Sequence, residues 1–259
     1  GIADVVWRIA HIEVPVVWWI HESNDKDFHD FPLLVRNNVY YYAGGKRVVE
    51  CFKKHYPYLP VEKMLYYLPD NRVETKCRDA IFRIGIIGLI YPRKAQDIFV
   101  EAVEKIPAEK KNAISFEIVG KYIEPVIDMD KVLKENPEIQ YIGEMSQRAL
   151  NDYFAGLDLL VCPSRDDPMP VVVTQAMQYG IPCIVSDQVG QSEYIIDGKN
   201  GFVFPTENIK ALKEKIIYCI DHKDILSDIG QESRKIYENY FSVEAMEENL
   251  QRIEDRVRR

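Results

Sequence analysis

The sequence predicts an α/β protein with doubly wound, mostly parallel sheets, and three observations carry that prediction. Short runs of β-branched and aromatic residues alternate with stretches of helical spacing along almost the whole chain. The runs are apolar throughout rather than at every second position, the pattern of strands covered on both faces by crossover helices. The composition, 47% apolar and 29% charged over 259 residues and 30.2 kDa, is enough to bury a core. It excludes disordered, collagen-like and disulfide-scaffold classes.

Taken in order, the runs at 14–20, 39–43 and 64–68 read as strands, with a helix over 45–56. The first is the most apolar run in the chain, but it contains Pro15 and falls far short of the ~18 residues a membrane span requires. No charged segment followed by an apolar stretch marks a signal peptide. Strands follow at 81–89, 115–119, 139–142, 158–162 and 181–185, and helices at 95–106, 147–156, 170–179 and 207–221. Val243, Met246, Leu250, Ile253 and Val257 recur at 3,4,3,4 spacing, so the chain closes on an amphipathic helix. The polar, aperiodic stretch over 71–79 reads as a linker. The expected organisation is a truncated α/β domain over 1–70, the linker, a complete domain over 80–240, and a C-terminal helix over 241–259 that crosses back to the first domain. About three strands are too few for an open sheet of this kind. Since the chain starts at Gly1 rather than methionine, the missing strands are expected to precede it in a longer protein.

Charge and cysteine content narrow the class. Lys plus Arg number 33 against 41 Asp plus Glu, a formal charge of −8, which argues against a nucleic-acid partner held by phosphate neutralisation. The five cysteines, Cys51, Cys77, Cys162, Cys183 and Cys219, are scattered and never in C-x-x-C spacing. That suits reduced thiols in a cytoplasmic protein rather than a disulfide framework or a zinc site. Against the acidic background, the predicted helix at 45–56 carries Lys46, Arg47, Lys53 and Lys54. Such a face is either solvated or a peripheral contact to an anionic membrane or a lipid-linked acceptor.

Several patterns resemble chemistry and do not amount to it. Asp128-Met129-Asp130 matches a metal-holding D-x-D pair, yet it precedes Lys131-Val132-Leu133 in a charged helical stretch and reads as a solvated helix face. His21-Glu22-Ser23-Asn24-Asp25 lacks the second histidine of H-E-x-x-H. Gly85-Ile86-Ile87-Gly88 is not a dinucleotide fingerprint, and neither a G-x-S-x-G elbow nor a P-loop occurs. No metal site is expected.

The informative stretch is 159–205, LLVCPSRDDPMPVVVTQAMQYGIPCIVSDQVGQSEYIIDGKNGFVFP. A strand ends at Pro163-Ser164 and is followed by Arg165-Asp166-Asp167; a helix runs from near Pro170 to a C-cap at Gly180. The next strand empties into Ser186-Asp187 and the Gly190-Gln191-Ser192-Glu193 turn, which is expected to open another helix. Loops at the carboxyl ends of parallel strands are where such sheets bind ligands, and a turn feeding a helix N-terminus suits an anion. Asp167 and Gln175, eight residues apart, could face one crevice.

This stretch resembles the donor-binding half of glycosyltransferase family 4, retaining enzymes of the GT-B fold with two Rossmann-like domains. Pro163-Ser164, Ala176-Met177, Gly180-Ile181-Pro182, Ser186-Asp187, Gly190, Glu193-Tyr194-Ile195 and Gly198-Lys199-Asn200-Gly201-Phe202 match the family pattern in order. Upstream, Gly88 to Lys94 is similar to its G-R-x-x-x-x-K-G element. Four positions depart: Asp167 and Gln175 stand where the family has an E-x(7)-E pair, Leu89 where it has arginine, and Ala95 where it has glycine.

The resemblance implies a nucleotide-sugar donor, a glycan or lipid-linked acceptor and no metal cofactor. It casts Lys94 as the cation on the donor diphosphate, with backbone amides near Gly190, Gln191 and Ser192 beside it. Asp167 would hold hydroxyls of the transferred sugar and Gln175 the ribose, with Gly88 and Arg165 also at the donor. A carboxylate accepts from hydroxyls about twice as strongly as a neutral group, so Gln175 implies a weaker hold. His21 occupies the place where family members carry a cleft-facing histidine; its plainer role is a hydrogen-bonded strand-end residue. No enzyme nucleophile stands out, in keeping with attack on the face the leaving group vacates. The rival expectation is an assembly or nucleotide-sugar-binding module that has lost catalysis.

Overall fold

The computed structural model describes residues 13–21, 35–73, 80–124 and 126–257. Cys77, the 74–79 part of the expected linker and the Glu22-to-Asp25 part of the H-E near miss lie outside the described residues. The chain divides into two compact units at Tyr67/Leu68 and Ser242/Val243. The described 71–73 segment belongs to the second unit, where the Val73 N–H donates to the Tyr179 hydroxyl at 3.3 Å.

The first unit holds three parallel strands in the order β1-β2-β3: β1 Val16–Ile20, β2 Val39–Ala43 and β3 Val61–Lys63. Helix α1, Lys46–His55, buries Val48 and Phe52 and leaves Lys46, Lys53 and Lys54 exposed. Val39, Tyr41 and Phe52 form the small core, with Val16, Trp18 and Ile20 packed against it. The terminal helix α8, Val243–Val257, belongs to this unit; Arg256 pairs with Glu62 and lies over the Tyr40 ring at 5.7 Å.

One strand expectation is corrected here. The run 64–68 is not a strand; the third strand is the shorter β3 just before it. Its register explains why: Lys63 pairs with Ala43, the last residue of β2. After one further bond, Met64 N–H to the Ala43 carbonyl at 2.9 Å, the partner strand has ended.

The second unit is built on six parallel strands, β4 Phe82–Ile87, β5 Ile114–Val119, β6 Ile139–Gly143, β7 Leu159–Cys162, β8 Cys183–Ser186 and β9 Phe202–Phe204. Their order across the sheet is β6-β5-β4-β7-β8-β9. The chain therefore starts at the centre, builds outward to β6, returns to place β7 beside β4 and builds outward the other way. That reversal is the switch point at which open α/β sheets take ligands. The connecting helices are α2 Gln96–Glu104, α3 Met129–Glu135, α4 Gln147–Phe154, α5 Val171–Tyr179, α6 Ile209–Asp221 and α7 Leu226–Tyr240. Strands β5, β7 and β8 are buried along their whole length, which is why they read as unbroken apolar runs.

Asp128 caps α3 by accepting the Lys131 N–H at 3.1 Å, and both Asp128 and Asp130 are exposed, so the D-x-D pair is a helix start. Helix α7 is not among the expected helices. Its buried face is Leu226, Ile229, Gly230, Ser233 and Tyr237, with small residues where an apolar repeat would be looked for. The smallness has a cause. A Cβ on Gly230 would lie 2.0 Å from the Gly180 carbonyl oxygen at the end of α5, so the two helices meet backbone to backbone. Cys51, Cys162, Cys183 and Cys219 are free thiols. No described helix is long and apolar enough to cross a membrane.

Candidate functional site

Because β4 and β7 are neighbours, the loops leaving their carboxyl ends run side by side. The β4 loop begins at Gly88, whose φ of 151° is a conformation that favours glycine, and the Lys94 stem packs alongside it. Pro92–Lys94 forms one turn of 3-10 helix, and Ala95 then adopts a left-handed conformation, φ 59° and ψ 42°, before α2 begins. That conformation costs an L-residue about 1–2 kcal/mol, and it falls where the resembled family carries glycine. Gln96, buried at the start of α2, donates to the Leu89 carbonyl at 2.9 Å and anchors the loop.

From β7, Asp167 is fixed by its backbone. Its N–H donates to the Gln188 carbonyl at 3.1 Å and its carbonyl accepts the Gly190 N–H at 2.9 Å, a short parallel bridge between the loops after β7 and β8. The crossing is close: a Cβ on Gly190 would lie 1.6 Å from the Pro168 carbonyl oxygen. Ser186 Oγ donates to the Ser164 carbonyl at 2.6 Å just behind. The result is that Lys94 Nζ and Asp167 Oδ2, 73 residues apart, form an ion pair. Their side chains are only 17% and 7% exposed, so water screens the pair weakly.

Arg165 is tied into the loop after β4. Its Nη1 and Nη2 clasp Asp97 at 3.0 and 2.7 Å, Nη1 also reaches the Pro92 carbonyl at 2.6 Å, and Nε donates to Glu207 at 2.9 Å. Its N–H donates to the Arg93 carbonyl at 2.8 Å. These contacts make Arg165 a clasp that holds the Pro92–Lys94 turn.

The Gly190 turn is corrected as well. It is a five-residue 3-10 helix, Gly190–Tyr194, and not the start of an α-helix. Two of the three expected anion-binding amides are already engaged, Gly190 N–H with Asp167 and Ser192 N–H with the Val189 carbonyl at 2.9 Å. A 3-10 turn closes on bonds three residues apart, which consumes donors that a longer helix would leave free. Gln191 is buried, and its Nε2 holds the start of α5 through the Pro170 carbonyl at 2.8 Å and Thr174 Oγ1 at 3.0 Å.

Gln175 is half-buried on α5, and its side chain makes no hydrogen bond among the described residues. His21 belongs to the first unit, exposed after β1, with its ring 4.4 Å from that of Trp19. Cys162, at the end of β7, is buried; burial pushes its thiol pKa up while Lys94 opposes the rise only in part, the direction of an unreactive structural thiol. Sequence reasoning missed Arg93, which is half-buried with its Nε donating to the Tyr91 hydroxyl at 2.8 Å. Among the described residues no cluster of three or more His, Cys, Asp or Glu side chains is arranged to hold a metal ion.

A lysine and a carboxylate are thus brought together at the switch point of a 3-2-1-4-5-6 parallel sheet, the place in an open α/β fold where ligands bind at the carboxyl edge. Comparison with known proteins makes this specific. The sequence profile of the family described as "Glycosyl transferases group 1" matches residues 71–236, and the chain belongs to that family. It is 25% identical over 191 residues to the capsular polysaccharide biosynthesis glycosyltransferase CapM of Staphylococcus aureus, covering 72% of this chain and 50% of that one. It is 27% identical over 174 residues to the poly(ribitol-phosphate) alpha-N-acetylglucosaminyltransferase of S. aureus strain COL, covering 64% of this chain and 34% of that one. The chain thus spans half or less of these relatives' lengths. In structure it resembles Anabaena Alr3699/HepE, solved in complex with UDP and glucose, with a TM-score of 0.81 at 16% identity over 98% of this chain and 80% of that one. At that identity the likeness shows the fold, which is GT-B.

Proposed function

We propose that this chain carries the nucleotide-sugar site of a retaining, metal-independent glycosyltransferase of the family 4 kind, acting on a glycan or lipid-linked acceptor. The observation that carries the reading is the Lys94–Asp167 pair at the β4/β7 switch point, inside the segment that matches the family. The hard step in such a transfer is departure of a nucleoside diphosphate while positive charge develops at the anomeric carbon. A preorganised cation stabilises that leaving group. In this reading Lys94 turns from Asp167 to the diphosphate, and the freed carboxylate accepts from sugar hydroxyls. The relatives named above, CapM and the poly(ribitol-phosphate) enzyme, support a glycan acceptor.

The test is thermal shift with UDP-, GDP- and dTDP-sugars in EDTA, followed by the anomeric configuration of any product. A ligand at ~100 times its Kd stabilises by about 2.7 kcal/mol. A shift with one nucleotide family and a retained anomer are expected; a requirement for added divalent metal, or an inverted product, contradicts the reading.

A second reading, a nucleotide-binding module without catalysis, is favoured by Gln175, a neutral amide without a hydrogen bond among the described residues. Gln175→Glu separates the two. At a working site the restored carboxylate is expected to tighten nucleotide binding by roughly 1 kcal/mol, about fivefold. No change in the variant, with no binding by the parent, favours the inactive module.

A further inference from the structure

We propose that Arg93, held in place by Tyr91, is a second cation for the donor diphosphate, acting beside Lys94. This rests on the donor-site reading above and goes beyond it by assigning a residue that neither the sequence motif nor the ion pair identifies.

Lys94 and Asp167 cancel before any ligand arrives, and Gln175 adds no charge. The diphosphate of a nucleotide-sugar brings about two further negative charges, and a free nucleoside diphosphate more, into a crevice where weak screening makes them expensive to leave unbalanced. The backbone makes up only part of the difference, because two of the three turn amides, the Gly190 and Ser192 N–H groups, are engaged within the protein. Arg165 does not supply the rest, because its guanidinium is divided between Asp97, Glu207 and the Pro92 carbonyl. Leu89, the residue after Gly88, is exposed and uncharged.

Arg93 differs from each of these. It sits on the same 3-10 turn as Lys94, and its own carbonyl accepts the Arg165 N–H, so its backbone is fixed by the clasp. Its guanidinium lies 5.8 Å from the Tyr91 ring centroid and uses Nε on the Tyr91 hydroxyl. Among the described residues Nη1 and Nη2 make no hydrogen bond and no ion pair. Burial opposes the charge on Arg93, but the Tyr91 hydroxyl and then the Asp167 carboxylate outweigh it, which puts Arg93 within electrostatic reach of the site carboxylate. A half-buried guanidinium with its fork unused, preoriented by a phenol, is a receptor for a phosphate oxygen pair. Lys94 supplies the point charge and Arg93 the directed one.

The experiment titrates wild-type, Arg93→Ala and Arg93→Lys protein by calorimetry with UDP, GDP, dTDP and ADP, and then with the monophosphate of whichever nucleotide binds. Arg93→Ala is expected to weaken the diphosphate roughly tenfold or more, the scale of a lost bond to a charged group, and the monophosphate less than about threefold. Arg93→Lys is expected to recover part of the diphosphate affinity, since it keeps the charge without the fork. Equal weakening of both nucleotides, or a folded Arg93→Ala protein whose diphosphate affinity stays within about threefold of wild type, overturns the assignment alone. Wild-type protein that binds none of the four diphosphates overturns the donor-site reading and this assignment with it.

Discussion

Lys94→Ala is expected to lower stability by about 3 kcal/mol, and with it the melting temperature by roughly 6–12 °C, and to abolish measurable nucleoside diphosphate binding. The stability loss follows from burial. Asp167 keeps 7% exposure and its backbone is pinned by Gln188 and Gly190, so the carboxylate does not swing out to water when its partner is removed. A buried charge left alone is the costly case, whereas replacing both members of a pair by neutral groups often is not. The double variant Lys94→Met with Asp167→Asn is therefore expected to recover much of the stability and none of the binding. Urea unfolding of the three proteins checks the first half and calorimetry the second. If the single variant unfolds like wild type, the pair is not the tightly coupled feature described above.

Gly190→Ala is expected to be at least as damaging, by more than about 3 kcal/mol, through sterics alone. The added carbon would lie 1.6 Å from the Pro168 carbonyl oxygen, and that atom is backbone, so it does not yield as the tip of a flexible side chain does. Relief requires the β7 and β8 loops to separate, which breaks the Gly190-to-Asp167 bond and frees Asp167 from its position. Stability and nucleotide affinity should fall together. A Gly190→Ala protein with wild-type unfolding midpoint would show that the two loops do not cross as closely as described.

These two results bear on how much the sequence revealed. The central strands were legible because β5, β7 and β8 are buried on both faces and so carry no polar alternation to confuse them. Helix α5 was legible at its end, where Gly180 takes the left-handed C-cap, φ 67°. Helix α7 was not, because Gly230 and Ser233 stand on its buried face for lack of room against α5, and small residues leave no apolar period to read. The run 64–68 misled for the opposite reason: it is apolar enough for a strand but has no partner beyond Ala43.

At the site, Lys94 and Asp167 were reachable through the resemblance, since each falls in its own ordered motif. Their pairing was not, nor was the clasp of Arg165 on Asp97, since both join residues about seventy positions apart. Arg93 escaped because a basic residue next to a motif lysine is indistinguishable from a solvated one until its burial and its Tyr91 partner are seen. The short 3-10 form of the Gly190 turn was not legible because a glycine turn looks alike in sequence whether an α-helix or one 3-10 turn follows it.

The most direct test of the donor-site claim is a crystal structure of the protein with the nucleoside diphosphate that binds in calorimetry. The account predicts the diphosphate at the carboxyl edge between β4 and β7, with Lys94 Nζ moved off Asp167 and within ~3.2 Å of a phosphate oxygen. A nucleotide bound elsewhere, or bound there with the Lys94–Asp167 pair still closed, would contradict it.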